Sequence, residues 1–355
     1  MTARRHAVFR ADASSAIGTG HVVRCLTLAA ELIRRGWIAT LATRELPPAL
    51  APLARETAVG LVELPATLPS EDESRSIGAT LSRRADLAVV DHYGIGAGWQ
   101  RVAAGWAERQ LAIDDLADRS QAVDIVLNQN LPIDPSRYQG LVDPSTTILS
   151  GPAYALVRPG FAAAREQSLG RRAAGGGRLE RILVFMSGTD PHDVAGRAVR
   201  AAARVTAGSD VAIEVVVGGG YPHLPDLRAW AATQPLVDVH VDTQAMAALM
   251  ERADLAIGAS GSASWERCTL GLPSVLLTLA DNQIEGARAL ADAGAAVDLG
   301  PYSRLEDADL EMTLTELRAD PARLASMSRA AARITDGLGT MRVADAVGRL
   351  FGEPS

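Results

Sequence analysis

The 355-residue chain contains no lysine, because all 35 of its basic residues are arginine. This absence excludes Schiff-base chemistry, a Walker-type phosphate-binding lysine and a lysine general base. Any phosphate group must therefore be bound by arginine, by hydroxyl groups or by backbone amides. The formal net charge of −7 disfavours nucleic acids and anionic membranes as partners, since both attract basic surfaces. We expect a small-molecule partner instead.

Cysteine is scarce, and its two copies form no recognisable motif. Cys25 and Cys268 lie far apart in apolar helical patterns, which predicts buried thiols in a reducing cytoplasm rather than a metal pair or a disulfide. No apolar run approaches the roughly 20 residues of a membrane span, and no signal-peptide pattern opens the chain. The histidines lack HxH or HxxxH spacing, and GxSxG is absent, which disfavours a metal centre and a serine nucleophile.

Short apolar runs separated by helix-length segments recur throughout the chain. In the first half they read AVFR, WIATLAT, LVEL, LAVVD, QLAID and DIVLN, and in the second RILVFM, VAIEVVV, LVDVHV, DLAIGAS, LPSVLLT and AAVDL. The alternation predicts α/β architecture with two Rossmann-like domains that face each other across a cleft. We place them at residues 1–165 and 179–335, with a C-terminal helix at 336–355. The glycine- and arginine-rich segment 168–178 is predicted to be a linker.

The first loop after a predicted strand carries the sequence GTGH. Gly18 and Gly20 allow close approach of the backbone to a ligand, and Arg10 precedes them at the end of the strand. His21 falls in the first turn of the next helix, where the positive helix terminus favours a neutral imidazole and hence a general base. A packing or capping histidine is the alternative. GTGH is not a GxGxxG dinucleotide motif, so no nicotinamide cofactor is expected, and no other cofactor is predicted.

Two further strand ends of the first domain carry polar side chains. Tyr93 follows LAVVD and could hydrogen-bond a sugar or phosphate, whereas Asp91 could equally support a neighbouring side chain. Asp114 and Asp115 follow QLAI, but adjacent residues of an extended chain point in opposite directions. We therefore do not expect these two carboxylates to act as one acid/base pair.

The first loop of the second domain, SGTDPHD, offers small side chains and amides to an anion at Gly188 and Thr189, before a helix expected near Pro191. A plain helix-capping loop is the alternative interpretation. A stronger signal follows in DLAIGASGSASWERC and LPSVLLTLADNQ, which each combine a strand with a polar loop.

In these later loops, Gly261 and Ser262 can admit a diphosphate, and Glu266 can accept hydrogen bonds from ribose hydroxyls. Asn282 and Gln283 carry amides that suit sugar hydroxyls or phosphate. Because the carboxyl ends of parallel strands form the usual ligand edge of a sheet, we expect these side chains to bind a nucleotide sugar.

These motifs resemble the UDP-2,4-diacetamido-2,4,6-trideoxy-β-L-altropyranose hydrolase family of pseudaminic acid biosynthesis, which is similar to the GT-B lipid II N-acetylglucosaminyltransferase. The resemblance covers nearly the whole chain through FRADASSAIGTGHVVRCLTLA, VVDHYGI, IDDLADR, VLNQN, GPAYALVRPGF, SGTD, SGSASWE and DNQ. It implies a GT-B-like fold with UDP on the C-terminal domain, and catalytic roles for His21, Tyr93 and Asn282. Ser187, His192 and Asp193 depart from the family pattern, as does a longer helical tail.

The resemblance therefore predicts hydrolysis of a UDP-linked sugar without a metal ion, with His21 activating water at the anomeric carbon. UDP is a good leaving group, so no dedicated general acid is required. A GT-B glycosyltransferase with an unknown acceptor is the first alternative, because fold alone does not distinguish the two reactions. A silent nucleotide-sugar-binding domain is the second. The sequence carries no signal for an oligomeric state.

Overall fold

The computed structural model describes residues 4–14, 18–65, 70–188 and 190–353, which divide into two compact units. One unit contains the described residues up to Leu156 together with those from Leu338 onward, and the other is Val157–Gly337. Each unit has its own buried apolar core. Within these described ranges no helix is both long and apolar enough to cross a bilayer.

The first unit is built on a seven-stranded parallel sheet. Its strands are β1 (His6–Ala11), β2 (Ile38–Thr43), β3 (Gly60–Glu63), β4 (Ala85–Asp91), β5 (Ala107–Ile113), β6 (Ile125–Asn128) and β7 (Thr147–Ser150). Its first helices are α1 (Gly20–Arg34), α2 (Ala51–Thr57), α3 (Ser70–Thr80) and α4 (Ala97–Ala103), with 3₁₀ turns at Pro48–Leu50, Pro135–Tyr138 and Pro152–Tyr154. The strand order is β3-β2-β1-β4-β5-β6-β7.

Helix α1 illustrates how the sequence specifies these elements. Val22, Leu26 and Ala29 are buried on one face, at the spacing that predicted an amphipathic helix. The helix ends at Arg34, and Gly36 adopts a left-handed φ of 91°, as expected for a glycine that terminates a helix. Because β1 pairs with β4, and β4 with β5, the loops after these three strands emerge side by side.

The second unit is built on a six-stranded parallel sheet with the order β10-β9-β8-β11-β12-β13. Its strands are β8 (Arg181–Phe185), β9 (Ala212–Val217), β10 (Val237–Val241), β11 (Leu255–Ala259), β12 (Ser274–Thr278) and β13 (Ala296–Pro301). Its helices are α5 (Pro159–Gly175), α6 (Val194–Thr206), α7 (Leu224–Ala231), α8 (Met246–Arg252), α9 (Ala263–Thr269), α10 (Ile284–Asp292), α11 (Asp307–Ala319) and α12 (Pro321–Ile334), with 3₁₀ turns at Asp281–Gln283 and Tyr302–Arg304. The prediction of two parallel-sheet α/β domains is confirmed.

The predicted linker at 168–178 is wrong, because residues up to Gly175 continue helix α5. Arg172 is buried there and donates hydrogen bonds to the carbonyl oxygens of Met250, Ala253 and Leu270. The segment was predicted to be a linker because it has no apolar face. The hydrogen bonds of buried Arg172 attach this part of α5 to the unit instead. Gly176 and Gly177, both with positive φ, end the helix.

The chain returns to the first unit as helix α13 (Gly339–Arg349). Val343, Ala344 and Val347 of this helix are buried in the core that also contains α1. Gly339 packs so closely that an added Cβ would lie 2.4 Å from the backbone nitrogen of Ala155. The last helix is therefore an integral part of the first unit.

Candidate functional site

His21 is the second residue of α1 and belongs to a buried polar cluster in the first unit. Its Nδ1 lies 2.6 Å from Oδ1 of Asp91, the last residue of β4. Arg24, one helical turn further on, donates from Nε to Oδ2 of Asp91 at 2.5 Å and from Nη2 to Oδ1 at 2.6 Å. The imidazole is only 7% exposed. Asp91 therefore contacts the neighbouring side chain of His21, as its predicted supporting role requires.

A second carboxylate, Asp115, completes this His21 cluster, which comprises His21, Arg24, Asp91, Asp115, Tyr93 and Asn130. Arg24 donates to both oxygens of Asp115 at 2.9 Å. The Tyr93 hydroxyl donates to Asp115 at 3.0 Å, and Nδ2 of Asn130 donates to it at 2.7 Å. The rings of His21 and Tyr93 meet edge to face with centroids 4.7 Å apart. The predicted residues His21 and Tyr93 are thus brought together.

The charges of the His21 cluster determine which imidazole nitrogen carries the proton. Burial alone would raise the pKa of Asp91, but Arg24 and His21 outweigh it and hold this pKa well below its ordinary value. The pKa of Asp115 is also lowered, by Arg24 against the effect of burial. An ionised Asp91 can only accept a hydrogen bond, so the proton belongs on Nδ1 of His21 and the lone pair on Nε2. The two carboxylates and Arg24 together carry one net negative charge, which a proton taken up by His21 would neutralise.

Asp114 and Asp115 face different partners, as the sequence predicted. Asp114 accepts hydrogen bonds from the Tyr138 hydroxyl at 3.1 Å and from the backbone of Ala117, and it pairs with Arg119. Asp115 instead joins the His21 cluster. The two neighbouring carboxylates are therefore not one acid/base unit.

The other predicted residues of the first unit lie at the carboxyl end of β1. Arg10 is 1% exposed and donates to the carboxylates of Asp12 and Glu73. Its guanidinium therefore holds these two carboxylates at the end of β1. Direct contact of Arg10 with substrate stays a prediction. Gly18 has a positive φ of 76°, a backbone conformation that is strained for residues with a side chain. Gly20 is the first residue of α1.

In the second unit, the loop after β8 is arranged largely as a helix cap. The carboxylate of Asp190 accepts hydrogen bonds from the backbone N–H groups of Val194 and Ala195, and α6 begins at Val194 rather than near Pro191. Gly188 packs against Gly218. A Cβ added at position 218 would lie 2.0 Å from the carbonyl oxygen of Gly188. Thr189 lies outside the described residues. The first turn of α6 is thus occupied by a carboxylate, which favours the capping interpretation.

The loops after β11 and β12 bring together several residues predicted to bind a nucleotide. Gly261 lies beside Gln283, whose Nε2 would be 3.8 Å from a Cβ at position 261. Oε1 of Gln283 accepts a hydrogen bond from the backbone of Leu279, which fixes the amide. Ser262 precedes α9 as its N-cap residue, and Asn282 lies exposed in the 3₁₀ turn at Asp281–Gln283.

Glu266 lies one turn into α9 and is already engaged. Its Oε1 accepts hydrogen bonds from Arg158, with Nε and Nη2 both 3.0 Å away. Burial raises the pKa of Glu266, and Arg158 opposes that rise. A ribose hydroxyl would therefore bind a carboxylate of which one oxygen already accepts hydrogen bonds from Arg158.

Sequence inspection did not identify Arg24, Asn130 or Arg158 as site residues. Asn130 had a usable signal, since it follows β6 in the VLNQN motif, next to the strand that precedes Asp115. Arg24 had none, because a residue of a buried helix face is expected to be apolar. Among the described residues no group of three or more histidine, cysteine or acidic side chains is arranged to hold a metal ion.

The chain is similar to a glycosyltransferase domain and to two proteins named for saccharide metabolism. The family model "Glycosyltransferase family 28 C-terminal domain" matches residues 182–347. The chain is 32% identical over 203 residues to the spore coat polysaccharide biosynthesis protein SpsG of Bacillus subtilis, a match that spans 57% of this chain and 58% of SpsG. It is 24% identical over 292 residues to the UDP-2,4-diacetamido-2,4,6-trideoxy-β-L-altropyranose hydrolase of Campylobacter jejuni, covering 82% of this chain and 98% of that protein.

Solved structures show the same fold over almost the full length. Acinetobacter baumannii MurG matches with a TM-score of 0.68 at 16% identity, covering 97% of this chain and 99% of MurG. The calicheamicin glycosyltransferase CalG4 matches with a TM-score of 0.60 at 18% identity, covering 99% of each chain. The fold is that of the GT-B glycosyltransferases, and the comparisons support an enzyme of the glycosyltransferase or UDP-sugar-processing type.

Proposed function

We propose that the protein hydrolyses a UDP-linked diacetamido-trideoxy sugar to UDP and the free sugar, as a step toward a pseudaminic-type acid. The observation that carries this proposal is the contact of His21 with Asp91, which leaves Nε2 as a proton acceptor. The relative in Campylobacter jejuni is named for this hydrolysis, which supports the choice of substrate.

In the proposed reaction, Nε2 of His21 accepts one proton from a water molecule as its oxygen attacks the anomeric carbon. The bond between that carbon and the phosphate oxygen breaks, and its electron pair leaves with UDP. Direct displacement inverts the anomeric centre. The net negative charge of Asp91, Arg24 and Asp115 stabilises the imidazolium that forms, as the aspartate does in a serine-protease triad.

The hydrogen bond that Tyr93 donates limits its role in this reaction. Its hydroxyl proton is donated to Asp115 at 3.0 Å, so the phenolic oxygen can act only as an acceptor toward any further group. The edge-to-face contact of the two rings, with centroids 4.7 Å apart, supports a role for Tyr93 beside His21. We propose that Tyr93 accepts a hydrogen bond from the attacking water or from the sugar.

The second unit would bind the nucleotide. Glu266 would accept hydrogen bonds from the ribose, with its second oxygen available while Arg158 holds the first. The amides at Gly261 and Ser262 would bind the diphosphate, and Asn282 and Gln283 would contact the sugar or phosphate. Helix α9 has only seven residues, so a macrodipole contributes little and these local groups must stabilise the leaving group.

A glycosyltransferase that delivers the sugar to an acceptor hydroxyl is the second candidate. The match of residues 182–347 to a glycosyltransferase domain favours it specifically. His21 could deprotonate an alcohol as readily as water, and the nucleotide site would be the same.

An acceptor-free assay distinguishes the two reactions. The protein is incubated with the purified UDP-diacetamido-trideoxy sugar in ¹⁸O-labelled water, and UDP is quantified and analysed by mass spectrometry. Hydrolysis at the anomeric carbon predicts stoichiometric release of UDP that carries no label. Release only after an acceptor is added would establish a transferase, and labelled UDP would show that a phosphorus–oxygen bond was cleaved instead.

A further inference from the structure

Arg267 is a buried cation that makes no hydrogen bond or ion-pair contact with a carboxylate among the described residues. It follows Glu266 in α9 and is 2% exposed. Nη2 donates to the carbonyl oxygen of Ala259 at 2.7 Å and to the Ser264 hydroxyl at 2.9 Å, while Nε has no partner. Both acceptors are neutral. Burial lowers the pKa of Arg267 to about 10, which reflects the cost of keeping this charge away from water.

The carboxylate of Glu266 acts electrostatically on Arg267 but accepts its hydrogen bonds from Arg158, so these two arginines share one carboxylate. Arg172, which is also buried, donates to the carbonyl oxygens of Met250 and Ala253 at the end of α8. Arg165 donates to the carbonyl oxygens of Ala332 and Thr335 at the end of α12. The guanidinium of Arg267 points back along its own helix, toward the loop that precedes α9.

The backbone around Arg267 is shaped to hold the guanidinium behind the loop at 259–264. Gly258, next to the end of β11, would bring an added Cβ within 2.7 Å of Nη1 and 2.6 Å of the carbonyl oxygen of Phe185. A side chain at position 258 would therefore displace the guanidinium or separate β11 from β8. The positive charge is thus fixed beneath the segment that contains Gly261 and Ser262.

We propose that Arg267 is an electrostatic binding residue for the diphosphate of the nucleotide, because Arg158 and Arg267 share the single carboxylate of Glu266 and one positive charge is left behind the 259–264 loop. The inference rests on the proposed function, since it takes UDP as the anion. The charge acts through the loop rather than by direct contact with the diphosphate. Uridine carries no phosphate charge, so the Arg267 charge should not affect its affinity.

The test compares UDP with uridine. Affinities for both are measured by calorimetry for the wild type, Arg267→Met and Arg267→Lys, with Arg267→Gln as a second neutral variant should Met fail to fold. Arg165→Met serves as the matched control, because Arg165 binds the carbonyl oxygen of Thr269 at the other end of α9. The effect of inorganic pyrophosphate on the unfolding temperature of the wild type is measured alongside.

The neutral variants should lose tenfold or more in UDP affinity with uridine affinity unchanged, whereas Arg267→Lys and Arg165→Met should keep the wild-type ratio of the two affinities. Pyrophosphate should raise the unfolding temperature of the wild type. Unchanged UDP affinity in a neutral variant, an equal loss for UDP and uridine, or no effect of pyrophosphate would each overturn the proposal. A wild type that binds no UDP would instead overturn the proposed function.

Discussion

Replacing Asp91 by asparagine should separate the catalytic from the structural role of the His21 cluster. The variant loses the carboxylate that fixes the proton on Nδ1 of His21 at 2.6 Å. In a serine-protease triad the equivalent loss lowers turnover by about 10⁴, because the imidazole adopts the wrong tautomer. General-base assistance is typically worth about 10² to 10⁴. We therefore expect acceptor-free UDP release at saturating substrate to fall by roughly that range.

The free energy of unfolding of Asp91→Asn should also be lower than that of the wild type, and its loss has an expected range. Removing one partner of a buried ion pair typically costs about 3 to 5 kcal/mol. Arg24 keeps Asp115 as a counter-ion at 2.9 Å, so the lower end of the range is expected for Asp91→Asn. Urea unfolding measures this loss. Asp114→Asn is the matched control, because Asp114 is equally buried and pairs with Arg119 but does not contact His21.

The pH dependence of this stability loss has a defined sign. The pKa of Asp91 is lower in the folded than in the unfolded chain, so its contribution is present above the unfolded value of about 3.9 and is lost as pH falls further. The difference between wild type and Asp91→Asn should therefore shrink below about pH 4. Near-wild-type turnover in Asp91→Asn, or an equal loss of turnover in Asp114→Asn, would refute the assignment of Asp91 to His21.

Three further outcomes are expected. Glu266→Ala should weaken UDP binding by roughly 1.5 to 3 kcal/mol, the usual value of a hydrogen bond to a charged group, and unchanged affinity by calorimetry would remove Glu266 from the site. Treatment with EDTA should leave UDP release intact, and loss of turnover that magnesium restores would contradict a metal-independent reaction. Gly218→Ala should destabilise the second unit by about 1 to 3 kcal/mol in urea unfolding, because its Cβ would lie 2.0 Å from the Gly188 carbonyl oxygen. Gly220→Ala, which meets nothing within 4 Å, is its control, and equal stability of the two variants would exclude the predicted clash.

The strands could be predicted because buried parallel strands are continuous apolar runs. LAVVD and LPSVLLT each correspond to a strand with both faces covered, β4 and β12. The edge strand β7 at Thr147–Ser150 escaped notice, since TILS is short and only partly buried. Helix α5 was misassigned in its second half because Arg172 replaces an apolar contact with hydrogen bonds to carbonyl oxygens.

The candidate site was predictable where a residue lies at the end of a strand, in the loop that follows it or in the first turn of the next helix. His21, Asp91 and Tyr93 were found because loops after neighbouring parallel strands meet at one edge of the sheet. Arg24 and Arg267 were missed because both lie on buried helix faces, where sequence patterns predict apolar side chains. Their positions depend on tertiary contacts with β4 and β11 that no local pattern encodes.

The most direct test is to measure UDP release and UDP affinity in His21→Asn. We expect acceptor-free UDP release to fall by about 10² to 10⁴, while calorimetry gives a UDP affinity close to the wild type, because the proposed nucleotide-binding residues belong to the second unit. His6→Asn, at the opposite end of β1, should retain both properties. Near-wild-type release by His21→Asn, or a parallel loss of UDP affinity and turnover, would contradict His21 as the base that activates water.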